Sequence, residues 1–310
     1  APAPRRAVLL CSDARTQDPM TFPDGGWRVL WTRGDGCRDL APLLGDAKPV
    51  EGEVRAACLR ARADLLVARK LTSFGLVSIA VPHDFRRAAV GGVVAAVGGG
   101  PHSALAAIAA ERLGRALEVS AAIATASRSS GEDAAAEGLL AEMGSLVPGT
   151  PAKVVRAENV RQMVAGLPEG SLLVVGAPGG SWMQRQFFGP GRRLVVRATA
   201  GAIVVRRAPT RCFQVMETPM PFGPAMPVTE ARRLLDDSVA PVVEEGRLIG
   251  IVRRSALLTA PATGDVGSVS EDPVSVRDDD SIDVVSAIAA SIAAVPVVDA
   301  EGRLRGVIRR

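Results

Sequence analysis

The chain has no tyrosine, and phenylalanine and tryptophan together bring its aromatic content to only 3% of 310 residues. Histidine is almost as scarce. His83 and His102 are the whole supply, which excludes a histidine-rich metal centre and leaves no metal required by the sequence. Four cysteines, Cys11, Cys37, Cys58 and Cys212, have no paired spacing. They read as reduced, buried thiols of a cytoplasmic protein rather than as disulfides or a zinc site. Basic residues come as scattered Arg-Arg pairs despite a net charge of +4 and a pI near 9.2, so no nucleic-acid face is expected. Long apolar runs are missing too. Ala88–Gly100 and Ala287–Val298 are too short and too rich in glycine or alanine to span a bilayer, and the opening "APAPRR" lacks the apolar centre of a signal peptide.

What is abundant is small and apolar. Hydrophobic residues make up 47% of the chain and the mean hydropathy is +0.20, the composition of packed globular material sufficient for two or three domains. Leu172–Val175 reads as a buried strand that runs into Gly-Ala-Pro-Gly-Gly, and Ala202–Val205 as a second strand. Arg192–Thr199 lies between them with helical spacing, so the stretch forms a βαβ unit with a glycine-rich loop. Glycine lets backbone approach a bulky ligand closely, and the amides at a following helix N-terminus suit a phosphate. Upstream, strands are expected at Val93–Val97, Val119–Thr125 and Lys153–Arg156. Helices are expected at Ala104–Leu117 with Ser103 as N-cap, at Glu132–Leu146 and at Glu158–Gly166. Residues 88–207 thus read as a doubly wound parallel sheet. Residues 1–87 read as a shrunken α/β unit, with strands at Ala7–Cys11, Val29–Trp31, Leu65–Ala68 and Val77–Val81 and a helix near Gly52–Arg62.

The C-terminal third repeats itself. "PVVEEGRLIGIVRR" (241–254) returns as "PVVDAEGRLRGVIRR" (296–310), each a β-hairpin turning at Gly246 or Gly302. An amphipathic helix precedes each hairpin, at Thr229–Asp237 and Ser281–Ala293. Two supersecondary units of this kind bury their apolar faces against each other, giving an α+β pair.

The residues quoted from 88–207 resemble a universal stress protein domain, of the adenine nucleotide α-hydrolase-like class. Its fingerprint is Gly, two residues, Gly, nine residues, Gly, then a small hydroxyl or amide residue, and Gly176, Gly179 and Gly189 fit it. "VVAAVGGGPHSALAAIAAERLGRAL" resembles the opening strand and helix, and "GAIVVRR" the closing strand. The resemblance implies phosphates on the glycine loop and a ribose held by an Asp ending the first strand. Here Gly98 occupies the Asp position and Pro190 the hydroxyl position. A carboxylate–hydroxyl hydrogen bond is worth about 1.5–3 kcal/mol, so its loss weakens binding roughly ten- to a hundredfold. "AVLLCSD" and "ADLLVA" in the first 87 residues echo the same pattern, which implies two unequal halves packed as a pseudo-dimer.

Residues 213–310 resemble a tandem pair of cystathionine-β-synthase (CBS) domains, one over 213–260 and one over 266–310. The second is read as truncated, since the sequence stops at Arg310. Nucleotide-binding members carry a Thr or Ser after the last strand and an Asp three residues on. Arg253 and Ala256 stand there in the first copy, and Arg309 takes the first of those positions in the second. These arginines read as exposed strand-end charges, or as groups facing a phosphate or an acidic partner.

The resemblances together imply a cytoplasmic stress-response regulator that binds ATP or AMP and transmits its state through the CBS pair. It would form a homodimer through that pair or through the stress-protein-like domain, and act on a further protein partner. The candidate ligand contacts are Gly98, Ser103, Gly176, Gly179, Gly180, Gly189, Gly191 and Arg192. An assembly scaffold that has lost its nucleotide sites is the alternative. A third reading follows from "GGGPHS" (98–103), which is similar to the pyrophosphate loop of adenylating enzymes with His102 where an Asp belongs. With no catalytic grouping in the sequence, an enzyme is not expected, and at most weak ATP hydrolysis.

Overall fold

The computed structural model describes residues 7–12, 19–21, 27–30, 54–62, 65–68, 75–83, 85–177, 200–235, 239–288 and 293–309. The expected helix at Arg192–Thr199 lies outside them. Two compact units divide the chain, residues 4–208 and residues 209–310.

The larger unit is α/β, built on strands β1 (Ala7–Ser12), β2 (Pro19–Thr21), β3 (Trp27–Leu30), β4 (Leu65–Ala68) and β5 (Ser78–His83), with helix α1 (Val54–Ala61) before β4. It continues with β6 (Gly92–Ala96), α2 (Pro101–Leu117), β7 (Ser120–Ser127), α3 (Asp133–Leu146), β8 (Ala152–Arg156), α4 (Val160–Ala165), β9 (Ser171–Gly176) and β10 (Ala202–Arg206). All ten strands form one sheet in the order β2-β3-β1-β4-β5-β10-β9-β6-β7-β8. Pairing is parallel except at β2–β3 and at the central β5–β10 seam, where Val204 faces Val81. The first 87 residues and the segment after them therefore share a single sheet. On either side of the seam the order mirrors itself: β1 lies between β3 and β4, and β6 between β7 and β9.

Within the described residues the expected element types hold, with shifted ends. β9 is buried over its whole length, as its unbroken apolar run requires of a parallel strand covered on both faces. Alanines make the close packing possible: Ala106, Ala107, Ala109 and Ala110 of α2 are buried against the sheet. Near the end of that helix, a Cβ on Gly114 would stand 2.8 Å from the Ala121 Cβ, so only glycine lets α2 approach β7 this closely. Ser103 is not the N-cap. Gly100 holds that position, Pro101 opens the helix, and Ser103 is its third residue. The short strand β2 was not expected.

The smaller unit contains α5 (Cys212–Val215), α6 (Val228–Leu234), β11 (Val239–Glu244), β12 (Arg247–Arg253), α7 (Arg254–Thr259), β13 (Val276–Arg277), α8 (Ile282–Ile288), β14 (Ala294–Val298) and β15 (Leu304–Arg309). The two hairpins β11–β12 and β14–β15 carry the same irregularity, a register shift after Val242 and after Val297. Glu245 and Gly246 both adopt positive φ, the signature of a tight two-residue hairpin turn.

Each copy also reaches into the other. The Glu217 backbone pairs with Val307 of β15, and Glu271 pairs with Ile251 of β12. These crossings explain two glycines. A Cβ on Gly306 would lie 2.8 Å from the Glu217 carbonyl oxygen, and one on Gly250 3.1 Å from that of Glu271. Phe222, Val228, Ala231, Val242, Val252 and Leu257 form the centre of the first copy. Its two helices cap each other: the Arg232 guanidinium donates to the Leu257 carbonyl at 2.7 Å and that of Arg254 to the Leu235 carbonyl at 2.8 Å.

Candidate functional site

In the larger unit, the chain leaves β6 on one side to form β7 and β8, and returns on its other side as β9. A crevice at the carboxyl ends of the strands is expected at such a reversal. The segment there is Gly98–Ser103, with Gly176 beside it. Gly99 and Gly100 adopt φ of +91° and +82°, and nothing lies within 4 Å of where their Cβ atoms would be, so conformation and not crowding calls for glycine.

The loop is tied to itself. The Gly98 amide donates to Ser103 Oγ at 3.2 Å, and that hydroxyl donates to the Gly99 carbonyl at 2.9 Å. Ser103 is only 1% exposed. Its hydroxyl and the Gly98 amide are thus engaged within the loop. Gly176 is buried beneath α2, where a Cβ would come within 2.9 Å of His102 Cβ; its lack of a side chain serves helix packing. His102 Nδ1 accepts the Arg207 amide at 3.1 Å. Burial first, then Arg206 and Arg207, hold this imidazole below its usual pKa and therefore neutral at pH 7. Gly179, Gly180, Gly189, Gly191 and Arg192 lie outside the described residues.

Along the same edge of the sheet runs an ionic cluster that sequence reading missed. Ser127 at the end of β7 donates to Asp133 Oδ1 at 2.6 Å, and Arg156 at the end of β8 reaches Asp133 Oδ2 at 2.7 Å and Ser127 at 2.9 Å. The Ser127 hydroxyl, then Arg156, keep the Asp133 carboxyl below its ordinary value. Every charge here is matched, so the cluster braces the edge rather than presenting a free anion site.

The smaller unit has a cleft of about 200 Å³. Its floor is apolar and buried: Phe222, Leu235, Val239, Ala240 and Val307. Its rim is open. Met220 is 59% and Leu234 40% exposed, and Thr218 and Arg309 supply the polar side chains. Arg309 is not a bare strand-end charge, for its guanidinium is paired with Glu217. The equivalent arginine of the first copy, Arg253, pairs with Glu271 at 3.0 Å. An internal carboxylate therefore meets the arginine that closes β12 and the one that closes β15. The sequence held a sign of this in the repeated Glu-x-Pro of "ETP" (217–219) and "EDP" (271–273).

Among the described residues, no group of His, Cys, Asp and Glu could hold a metal ion, and no helix is long and apolar enough to cross a membrane. Cys58 and Cys212 are buried, with burial pushing their thiols up to about 12 and about 11 respectively.

This C-terminal architecture, two helix-plus-hairpin units that exchange strand contacts, coincides with the family comparison. The CBS domain model matches residues 212–263 and 264–310, so this part of the chain contains a CBS domain pair. Solved structures similar to it cover about a third of the chain. The cytosolic domain of the Mg2+ channel MgtE in complex with ATP is 28% identical over 32% of this chain and 45% of its own length, with a TM-score of 0.31. CBSX2 in complex with AMP is 25% identical over 31% of this chain and 87% of its own, at a TM-score of 0.28. A CBS domain protein from Pyrobaculum aerophilum complexed with AMP is 20% identical, covering 32% and 86%, at 0.30. The chain spans less than half of the first of these structures. No curated protein matches it.

Proposed function

We propose that the protein is a regulator that binds an adenine nucleotide, AMP or ATP, in the cleft of its CBS pair and signals occupancy by a change in how the two copies meet. The cleft carries this reading: a buried apolar floor for a flat base, with a hydroxyl and a guanidinium at the rim for the sugar and phosphate. Its volume of about 200 Å³ is below the roughly 300–1,000 Å³ of ordinary small-molecule pockets. The floor then takes the base alone, and the charged portion stays at the half-open mouth. A regulatory effect requires the ligand to favour one arrangement of the copies over another.

The larger unit is assigned to the stress-protein-like class. The sheet order β8-β7-β6-β9-β10 supports it, as do Gly176 at the end of β9 and Gly179 and Gly189 beyond it in sequence. In this reading Gly179, Gly180, Gly189, Gly191 and Arg192 meet phosphates, while Gly98 and Ser103 brace the 98–103 loop. The expected homodimer is assigned to the CBS pair, where Leu258 of α7 is 64% exposed.

Calorimetry on the full chain with adenosine, AMP, ADP and ATP tests the reading, repeated on Met220→Trp, which fills the rim without touching the core, and on Gly179→Val. Binding that Met220→Trp removes supports the CBS cleft. No affinity at millimolar concentration for any of the four would leave the scaffold reading, which Gly98 in the ribose position and the matched Arg–Glu pairs favour. The adenylating reading is weakened by His102, whose Nδ1 is already occupied by a backbone amide. Pyrophosphate release from ATP and magnesium would revive it.

A further inference from the structure

We propose that Glu217 is a built-in competitor for the ligand's anionic group, and that Arg309 is the residue that distinguishes a phosphorylated ligand from its uncharged nucleoside. The inference rests on the nucleotide reading of the CBS cleft and names how that site chooses its ligand.

Arg309 closes β15 at the rim of the cleft, above a floor whose members Phe222, Ala240 and Val307 are almost wholly buried. A base on that floor leaves its phosphate beside the guanidinium. The guanidinium already holds the Glu217 carboxylate. Carboxylate and phosphate use the same fork of N–H donors, so one must leave before the other binds with full geometry. Both partners are accessible to water, with side-chain exposures of 39% for Arg309 and 56% for Glu217. An ion pair that exposed is weak, and a dianionic phosphate displaces it readily. The Glu217 backbone does not need to move, because its pairing with Val307 leaves the side chain free to swing.

Among the described residues that line the cleft, Arg309 is the one cationic side chain. Glu217 thereby sets a threshold: uncharged adenosine gains nothing from Arg309, and a phosphate gains only what remains after the carboxylate is expelled.

Calorimetry with adenosine and AMP on the full chain, its Glu217→Gln, Arg309→Gln and Arg309→Lys variants, and Glu271→Gln as a charge control, tests this. Glu217→Gln should tighten AMP by about two- to fivefold, the worth of an exposed ion pair, with adenosine unchanged. Arg309→Gln should weaken AMP about tenfold and leave adenosine alone, with Arg309→Lys between, because a point charge replaces the fork. Glu271→Gln should match wild type. AMP affinity indifferent to Glu217→Gln, or equal affinities for AMP and adenosine in wild type, would overturn the inference while the nucleotide reading survives. If neither ligand binds any variant, the nucleotide reading fails and the competitor role falls with it.

Discussion

Replacing Gly306 by alanine would place a methyl group 2.8 Å from the Glu217 carbonyl oxygen and 2.8 Å from Met216 Cγ. Ordinary contact begins near 3.4 Å, so the opening segment of the first CBS copy would have to retreat. That segment is not free to do so. The Glu217 amide donates to the Val307 carbonyl at 2.8 Å, and the Val307 amide donates back at 3.0 Å. Overpacking of this kind costs about 1–3 kcal/mol. In a unit of this size, each kcal/mol lowers the melting midpoint by about 4–8 °C. Gly250→Ala repeats the experiment in the other copy with more room, at 3.1 Å from the Glu271 carbonyl and 3.2 Å from Ser270 Cβ, and should cost less. Gly138→Ala in α3 meets nothing within 4 Å and should add about 0.5–1 kcal/mol, because alanine is the better helix former. Urea denaturation followed by circular dichroism would rank the three. A Gly306→Ala protein as stable as wild type, or less damaged than Gly250→Ala, would refute the claim that glycine is there to admit the neighbouring copy.

Four further outcomes are expected. Gly176→Ala should destabilise the larger unit by about 1–3 kcal/mol, and His102→Gly in the same chain, which removes the Cβ it would meet, should recover part of the loss; additive losses in a double-mutant cycle would disprove their contact. Phe222→Ala should cost about 3–5 kcal/mol by chemical denaturation, since Phe222 is 1% exposed at the centre of the first CBS copy. Two aspartates should show opposite pH responses in denaturation series. Burial, then Asp279, raises the Asp278 pKa in the fold, so stability is greatest in acid and lost as pH rises through the interval above the unfolded value; Asp278→Asn should be the more stable protein near neutrality and lose that advantage in acid. Asp133 is lowered instead, so its contribution exists above the ordinary carboxylate range and vanishes as pH falls; Asp133→Asn should destabilise only at the higher pH. Peptide mapping after thiol labelling at pH 8 should find Cys58 and Cys212 unmodified in the native protein and modified in urea.

Periodicity made most of the architecture legible. β9 announced itself by an unbroken apolar run, and the hairpins at Gly246 and Gly302 by a repeated strand–glycine–strand pattern. Helix starts were less legible. Ser103 looks like a cap, yet Pro101 at the first helical position and the positive φ of Gly100 decide where α2 begins. The cleft was hidden for another reason. Its floor is assembled from residues near 222, 240 and 307, and no local pattern encodes which turn of one copy meets which strand of the other. Glu217 and Glu271 could have been found by aligning the repeat outward from its hairpins, since each opens the same Glu-x-Pro step. Which arginine each would meet depended on the exchange of backbone pairing between copies.

The seam at the centre of the ten-stranded sheet bears on assembly. β10 spends its outer row of amides and carbonyls on β5, from Ala202 opposite His83 to Arg206 opposite Ile79. A strand so engaged cannot zip onto an identical strand from another molecule unless β5 first lets go. Among the described strands, β2 and β8 are left at the outer edges of the sheet, because one chain supplies both partners of the β5–β10 junction.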